Sequence, residues 1–347
     1  MKFPKRLGIY LPVLFILIIA ATSLRTVALF TDYQLTTGYF DNKLLISIGD
    51  FSVLAGCVFM LSFLLVSPRL NPVASFTSPA TYLPSGLISV SLLFFSAESF
   101  VLLIEKYGDI FSIKCLTDNA SLALLISAAL AILAVGNFLF TALFAKLRSE
   151  ARAFFGILSV LFLCAYAIYL YFNATLPLNS EIKAVDQMAI LLSAAFFLYE
   201  VRISLGREMW RCYLAFGMTA SLLAAYSSVP TLIYYFAKGT VISPSLAETI
   251  LIFTIFIYIT ARVIITAILT EDKKHECAEA IEILSDMRSE ELSLPSYERI
   301  NKNVEDFNTM GQNYEFKLHI EPKHSKEEAD TAEYEEGNIT DNERGKE

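Results

Sequence analysis

The chain has 347 residues, of which 55% are apolar and only 18% are Asp, Glu, Lys or Arg, and its mean hydropathy is +0.53. These values exclude an ordinary soluble globular protein and point to a chain built for lipid. The formal charge of −8 is unevenly placed: residues 1–270 hold 17 basic against 13 acidic side chains, and residues 271–347 hold 10 against 22.

Crossing the ~30 Å hydrocarbon layer takes about 20 apolar residues. Eight such windows follow in chain order, near 8–29, 44–66, 84–104, 120–145, 153–173, 186–204, 211–236 and 246–269. The first comes after MKFPKR, yet its length suits a retained span better than a cleaved secretory core. The expected fold is therefore all-α: a polytopic transmembrane helix bundle over residues 1–270, with the lipid bilayer as its main partner. No repeat relates residues 1–145 to 153–269, which lowers the weight of inverted-repeat transporter folds.

After the last window, Cys277, Ile281, Leu284, Met287 and Leu292 recur at roughly helical spacing. Residues 271–294 are expected to form a cytoplasmic amphipathic helix. Residues 295–347 are acidic and poor in large apolar side chains, as in a mostly disordered tail. Such a tail repels nucleic acid and anionic headgroups. It suits a cytoplasmic protein partner.

Orientation follows from Lys and Arg near the span ends, which stay on the cytoplasmic side. Lys2, Lys5, Arg6, Arg69, Lys146, Arg148, Arg152, Arg202, Arg207, Arg211, Lys273 and Lys274 fall in one set of loops. The opposite set holds Lys43, Lys106, Lys114, Lys183 and Lys238. Both termini are therefore expected in the cytoplasm, and the membrane is read as a bacterial cytoplasmic membrane. Tyr10, Tyr39, Tyr82, Tyr107, Tyr171, Tyr235 and Trp210 lie near window ends, where interfacial aromatic belts form.

The sequence contains no GxxxxGK[ST], HExxH, GxSxG or EF-hand motif. Its three histidines, His275, His319 and His324, all follow the last window, and the five cysteines show no CxxC spacing. No metal site, no cofactor and no disulfide framework is expected. No window holds a lysine for a Schiff base.

Ionisable side chains at membrane depth are costly and mark candidate sites. Arg25, Asp50 and Glu98 fall at similar depths in the first three windows, and if those helices pack side by side they form one polar site. Two carboxylates beside one arginine suit proton or cation handling; the alternative is a packing role. Glu200 and Arg262 form a candidate ion pair toward the other end. Pro230, preceded by Ser227 and Ser228, is a candidate hinge, because proline frees a backbone carbonyl that neighbouring hydroxyls can satisfy. Asn137 suits hydrogen bonding between helices.

The leading expectation is a non-enzymatic sensing or scaffolding module acting through its tail. The alternatives are a proton- or cation-coupled small-solute permease and a membrane-embedded lipid-modifying enzyme with Glu98 or Asp50 as base. No nucleophile and base occur at a recognisable spacing to favour the enzyme.

Overall fold

A computed structural model describes residues 7–34, 37–67, 70–72, 79–110, 112–143, 149–175, 177, 180–205, 209–242, 245–268 and 270–272. Eight long apolar helices dominate it: α1 (Leu7–Thr31), α2 (Lys43–Val66), α3 (Tyr82–Tyr107), α5 (Asn119–Leu143), α6 (Ser149–Phe172), α7 (Glu181–Ser204), α8 (Trp210–Lys238) and α9 (Leu246–Ile268). A single-turn helix α4 (Ile113–Thr117) precedes α5. The eight expected windows correspond to these helices, so the chain is an all-α, multi-pass membrane bundle. Its unbroken helices satisfy the backbone hydrogen bonds that lipid cannot.

The helix ends carry their own signals. Asn42 caps α2 by accepting from the Leu44 amide at 3.1 Å, and Ser245 caps α9 by accepting from the Glu248 amide at 3.1 Å. Gly239 closes α8 in a left-handed conformation (φ +70°) that a β-carbon would strain.

Six helices close a ring through successive contacts of α3 with α5, α5 with α6, α6 with α7, α7 with α8, α8 with α9, and α9 with α3. The α1–α2 hairpin packs on the outside of this ring, against α8. That placement explains why α8 is the most buried span although its sequence is among the least apolar. Small residues let the hairpin approach: a β-carbon at Gly49 would lie 2.7 Å from Tyr226 Oη, and one at Gly56 would lie 2.9 Å from Leu222. Gly217 does the same within the ring, where an added β-carbon would lie 2.5 Å from Val263 on α9.

The bundle has two ends. The terminal end carries the start of α1 and the end of α9, and there β3 (Leu70–Pro72) pairs antiparallel with β4 (Thr270–Asp272). The distal end carries an antiparallel pair of β1 (Tyr33–Gln34) and β2 (Tyr39–Phe40). Phe40, Ile182, Tyr234 and Ile242 form a small apolar cluster beneath it. Residues 271 and 272, placed by the sequence at the start of an amphipathic helix, are extended and paired with residues 70 and 71. The rest of that helix and the acidic tail lie outside the described residues.

Aromatic side chains fill the ring. Phe95 on α3 meets Tyr166 on α6 edge-on at 5.2 Å, and Phe138 on α5 meets Tyr258 on α9 at 5.2 Å. These helices are not neighbours in the ring, so the contacts run across its interior.

Candidate functional site

Polar side chains are buried toward both ends of the bundle. At the terminal end, Arg262 on α9 donates from Nη2 and Nε to Glu200 Oε1 on α7, at 2.6 and 3.0 Å. Tyr258 Oη donates to the same oxygen at 3.1 Å. The pair expected from the sequence is formed. Arg262 is 3% exposed, and an ion pair at that depth needs several hydrogen bonds to offset desolvation of both charges. Glu200 Oε2 has no hydrogen bond, in a cleft also lined by Arg152, Asn137 and Gly156. Asn137 donates to Ser159 Oγ at 3.1 Å and ties α5 to α6.

At the distal end the expected trio is divided. Arg25 on α1 lies with its guanidinium 4.5 Å from the ring centre of Tyr226 on α8, and Tyr226 Oη donates to Asp50 Oδ1 on α2 at 2.7 Å. Tyr226 thus bridges the cation and the carboxylate through its face and its hydroxyl. Arg25 is 1% exposed, and its Nε and Nη1 have no hydrogen-bond partner. Glu98 lies elsewhere. Its helix α3 packs on α5 and α9, so Glu98 stands beside Glu248 on α9, with which it interacts electrostatically. Adjacency in sequence did not become adjacency in space, because the connection over residues 67–81 is long enough to carry the chain across the terminal end.

Two further carboxylates complete the distal end. Asp186 on α7, 4% exposed, accepts a hydrogen bond from Ser227 Oγ on α8 and interacts with Arg25. Glu248, 3% exposed, is held by the hydroxyls of Tyr166 and Tyr169 on α6. Lys183 is also buried here, but its ammonium donates to Tyr171 O at 3.0 Å and Asn173 O at 2.6 Å, closing the end of α6. Of these four carboxylates, Asp186 and, through Tyr226, Asp50 stand with Arg25, while Glu98 and Glu248 stand apart from it.

The sequence reading omitted Asp186 and Glu248 because both fall in the first residues of their windows, where carboxylates are usually hydrated. Glu248 also stands three residues after Ser245, the spacing of a capping box. Only half of that box forms. The Ser245 hydroxyl takes the Glu248 amide, while the Glu248 side chain turns toward α6.

The proline segment lies inside a continuous helix: α8 runs unbroken through Pro230. Ser228 Oγ donates to Ala224 O at 2.7 Å, Thr231 Oγ1 donates to Ser227 O at 2.9 Å, and Ser227 spends its hydroxyl on Asp186. Among the described residues no group of three or more His, Cys, Asp or Glu side chains is placed to hold a metal ion.

Comparison of the chain with family models, curated proteins and solved structures finds no match.

Proposed function

We propose that the protein is a proton- or cation-coupled permease for a small solute, working through the interior of the six-helix ring. The observation behind this reading is the pair Asp186 and Glu248, two deeply buried carboxylates on α7 and α9 that have no ion-pair partner among the described residues. Carboxylates in lipid-enclosed protein are expensive unless a proton, a cation or a fixed counter-charge compensates them. Here the fixed counter-charge is short, so the balance falls to a mobile positive species.

The remaining parts suit the same role. Aromatic contacts cross the ring interior, and the Glu200–Arg262 pair lies toward the terminal side. Solute passage would require that pair and those aromatic contacts to part while the distal carboxylates change their load, the alternation expected of a coupled carrier. The α1–α2 hairpin, held to α8 through Arg25, Tyr226 and Asp50, is the peripheral element best placed to move with that load.

A sensing or scaffolding role rests on residues 273–347, outside the described residues, and the ring interior gives it no support. The lipid-enzyme reading has Glu98 and Asp50 but no nucleophile beside either.

The test is accumulation of radiolabelled amino acids, sugars and carboxylic acids by proteoliposomes under an imposed pH or sodium gradient. Gradient-dependent accumulation should appear in the wild type and fall at least tenfold in Asp186→Asn. Accumulation unchanged in both Asp186→Asn and Glu248→Gln would reject the reading.

A further inference from the structure

The terminal cleft is lined by two guanidiniums and one carboxylate: Arg152 on α6, Arg262 on α9 and Glu200 on α7. Close packing of α6 on α7 brings them together. A β-carbon at Gly156 would lie 2.5 Å from Val201 Cγ2, and Arg152 stands one turn before Gly156 while Glu200 immediately precedes Val201. All the donors that reach Glu200 go to one oxygen, since Arg262 Nη2, Arg262 Nε and Tyr258 Oη meet Oε1 at 2.6, 3.0 and 3.1 Å. Oε2 is buried and accepts no hydrogen bond. Arg152 is half-buried and interacts electrostatically with Glu200 and Arg262, yet it forms no ion pair or hydrogen bond among the described residues. A guanidinium without an anion and a carboxylate oxygen without a donor thus share one cleft, which has room for about one water-sized group.

Buried polar atoms are almost always satisfied, so this pairing of a free cation and a free acceptor describes a ligand. The charges decide its chemistry. Two guanidiniums against one carboxylate leave one positive charge in excess, which a ligand of one negative charge balances and a cation does not. Guanidinium groups take carboxylates through two parallel N–H bonds, which suits Arg152. Glu200 Oε2 is itself an acceptor and needs a donor next to that carboxylate. A hydroxyl is water-sized, donates, and adds no charge. An ammonium also donates, but it adds a positive charge beside two guanidiniums.

We propose that the terminal cleft recognises a small 2-hydroxycarboxylate, its carboxylate held by Arg152 and its hydroxyl donating to Glu200 Oε2, and that this class is the solute of the permease. The transport role rests on the permease reading; the binding site does not. Because the space beside Glu200 admits only the hydroxyl, the carboxylate lies over the exposed part of Arg152, and passage further into the ring waits on the parting of Glu200 from Arg262.

The experiment is equilibrium binding of radiolabelled lactate to the purified full-length protein in detergent, at constant pH and ionic strength. Propionate and alanine, in which hydrogen and ammonium replace the hydroxyl, serve as competitors. Saturable lactate binding is expected, with both competitors at least about tenfold weaker, because a site that bonds a hydroxyl rejects an analogue lacking it. Arg152→Gln should weaken lactate binding at least about tenfold, and Arg152→Lys, which keeps the charge and loses the paired N–H geometry, several-fold. Arg202→Gln, which removes an exposed basic residue at the same end of α7, should bind as the wild type does. Absence of saturable lactate binding, propionate or alanine competing as well as lactate itself, or binding undiminished in both Arg152 variants overturns the proposal. Gradient-driven accumulation of another solute by a protein that binds no lactate would sink the site and leave the permease reading standing. Lactate binding without accumulation under any gradient would support the site and remove its transport role along with the permease.

Discussion

The two polar ends of the ring interior are made from the same residue types and reach opposite outcomes. At the terminal end Arg262 reaches Glu200 Oε1 through two nitrogens and Tyr258 adds a third donor, with Arg152 in the same cleft. At the distal end Asp50 and Asp186 share the neighbourhood of Arg25 through a tyrosine and a serine hydroxyl, and Glu248 is held by tyrosine hydroxyls, with no ion pair among the described residues for any of them. A paired charge is a fastening, because its partner stays in the structure. A carboxylate without a fixed cation depends on hydroxyl donors or on a proton.

The sharpest way to break that contrast is to remove one charge at each end and compare stability. Arg262→Ala leaves Glu200 buried without its cation, and it should cost about 3–5 kcal/mol, as for other broken buried pairs. Thermal or denaturant unfolding in detergent would show it. Glu248→Gln removes no ion-pair partner and should change stability by less than about 1 kcal/mol, in either direction, because the uncompensated charge goes with it. If the two variants are equally destabilised, the distinction between a fastened end and an open end fails.

A smaller effect comes from packing beside the terminal pair. A β-carbon at Gly156 would lie 2.5 Å from Val201 Cγ2, on the helix that also carries Glu200. Gly156→Ala should push α6 and α7 apart at a cost of about 1–3 kcal/mol. Its effect should be much reduced in a Val201→Ala background, which a double-mutant cycle would measure. At the distal end, Tyr226→Phe removes the hydroxyl that Asp50 accepts but keeps the ring over which Arg25 lies, and should cost about 1–2 kcal/mol by the same unfolding measurement.

The smallest effect belongs to a charge outside the ring. Asp118, before α5, accepts from Ser121 Oγ at 2.7 Å, from Tyr107 Oη at 2.7 Å and from Lys106 Nζ at 3.0 Å. These donors, Ser121 first, hold its carboxyl well below the usual carboxylate range. A lowered folded value stabilises the protein fully above the unfolded value of about 3.9, and the gain is lost as pH falls from there toward the folded value. The side chain is 37% exposed, so solvent screening should keep the gain below about 1 kcal/mol. The stability difference between wild type and Asp118→Asn should therefore be largest near neutrality and shrink below about pH 4.

Much of the fold was legible in the sequence, and part of the site was. The eight windows fall on the eight helices within a few residues, with the largest discrepancy at α7, which begins at Glu181 rather than near 186. That early start matters, because it puts Asp186 a full turn inside the helix and Lys183 against the end of α6. The Glu200–Arg262 pair was readable because each is an isolated charge in an apolar stretch at matching depth. Tyr166, Tyr169 and Tyr226 were not readable as site residues. A tyrosine in a membrane span is ordinarily packing, and only its neighbours decide whether its hydroxyl serves a carboxylate.

The sequence by itself determined the number, order and approximate bounds of the spans, because each must supply an apolar length matched to the bilayer and satisfy its own backbone. That requirement is local, so it is written in local composition. Which spans meet is decided by side-chain shape across the whole bundle. Only the tertiary structure separated Glu98 from Arg25 and Asp50, set Asp186 and Glu248 in the ring, and put an arginine against one carboxylate while giving others hydroxyl partners alone.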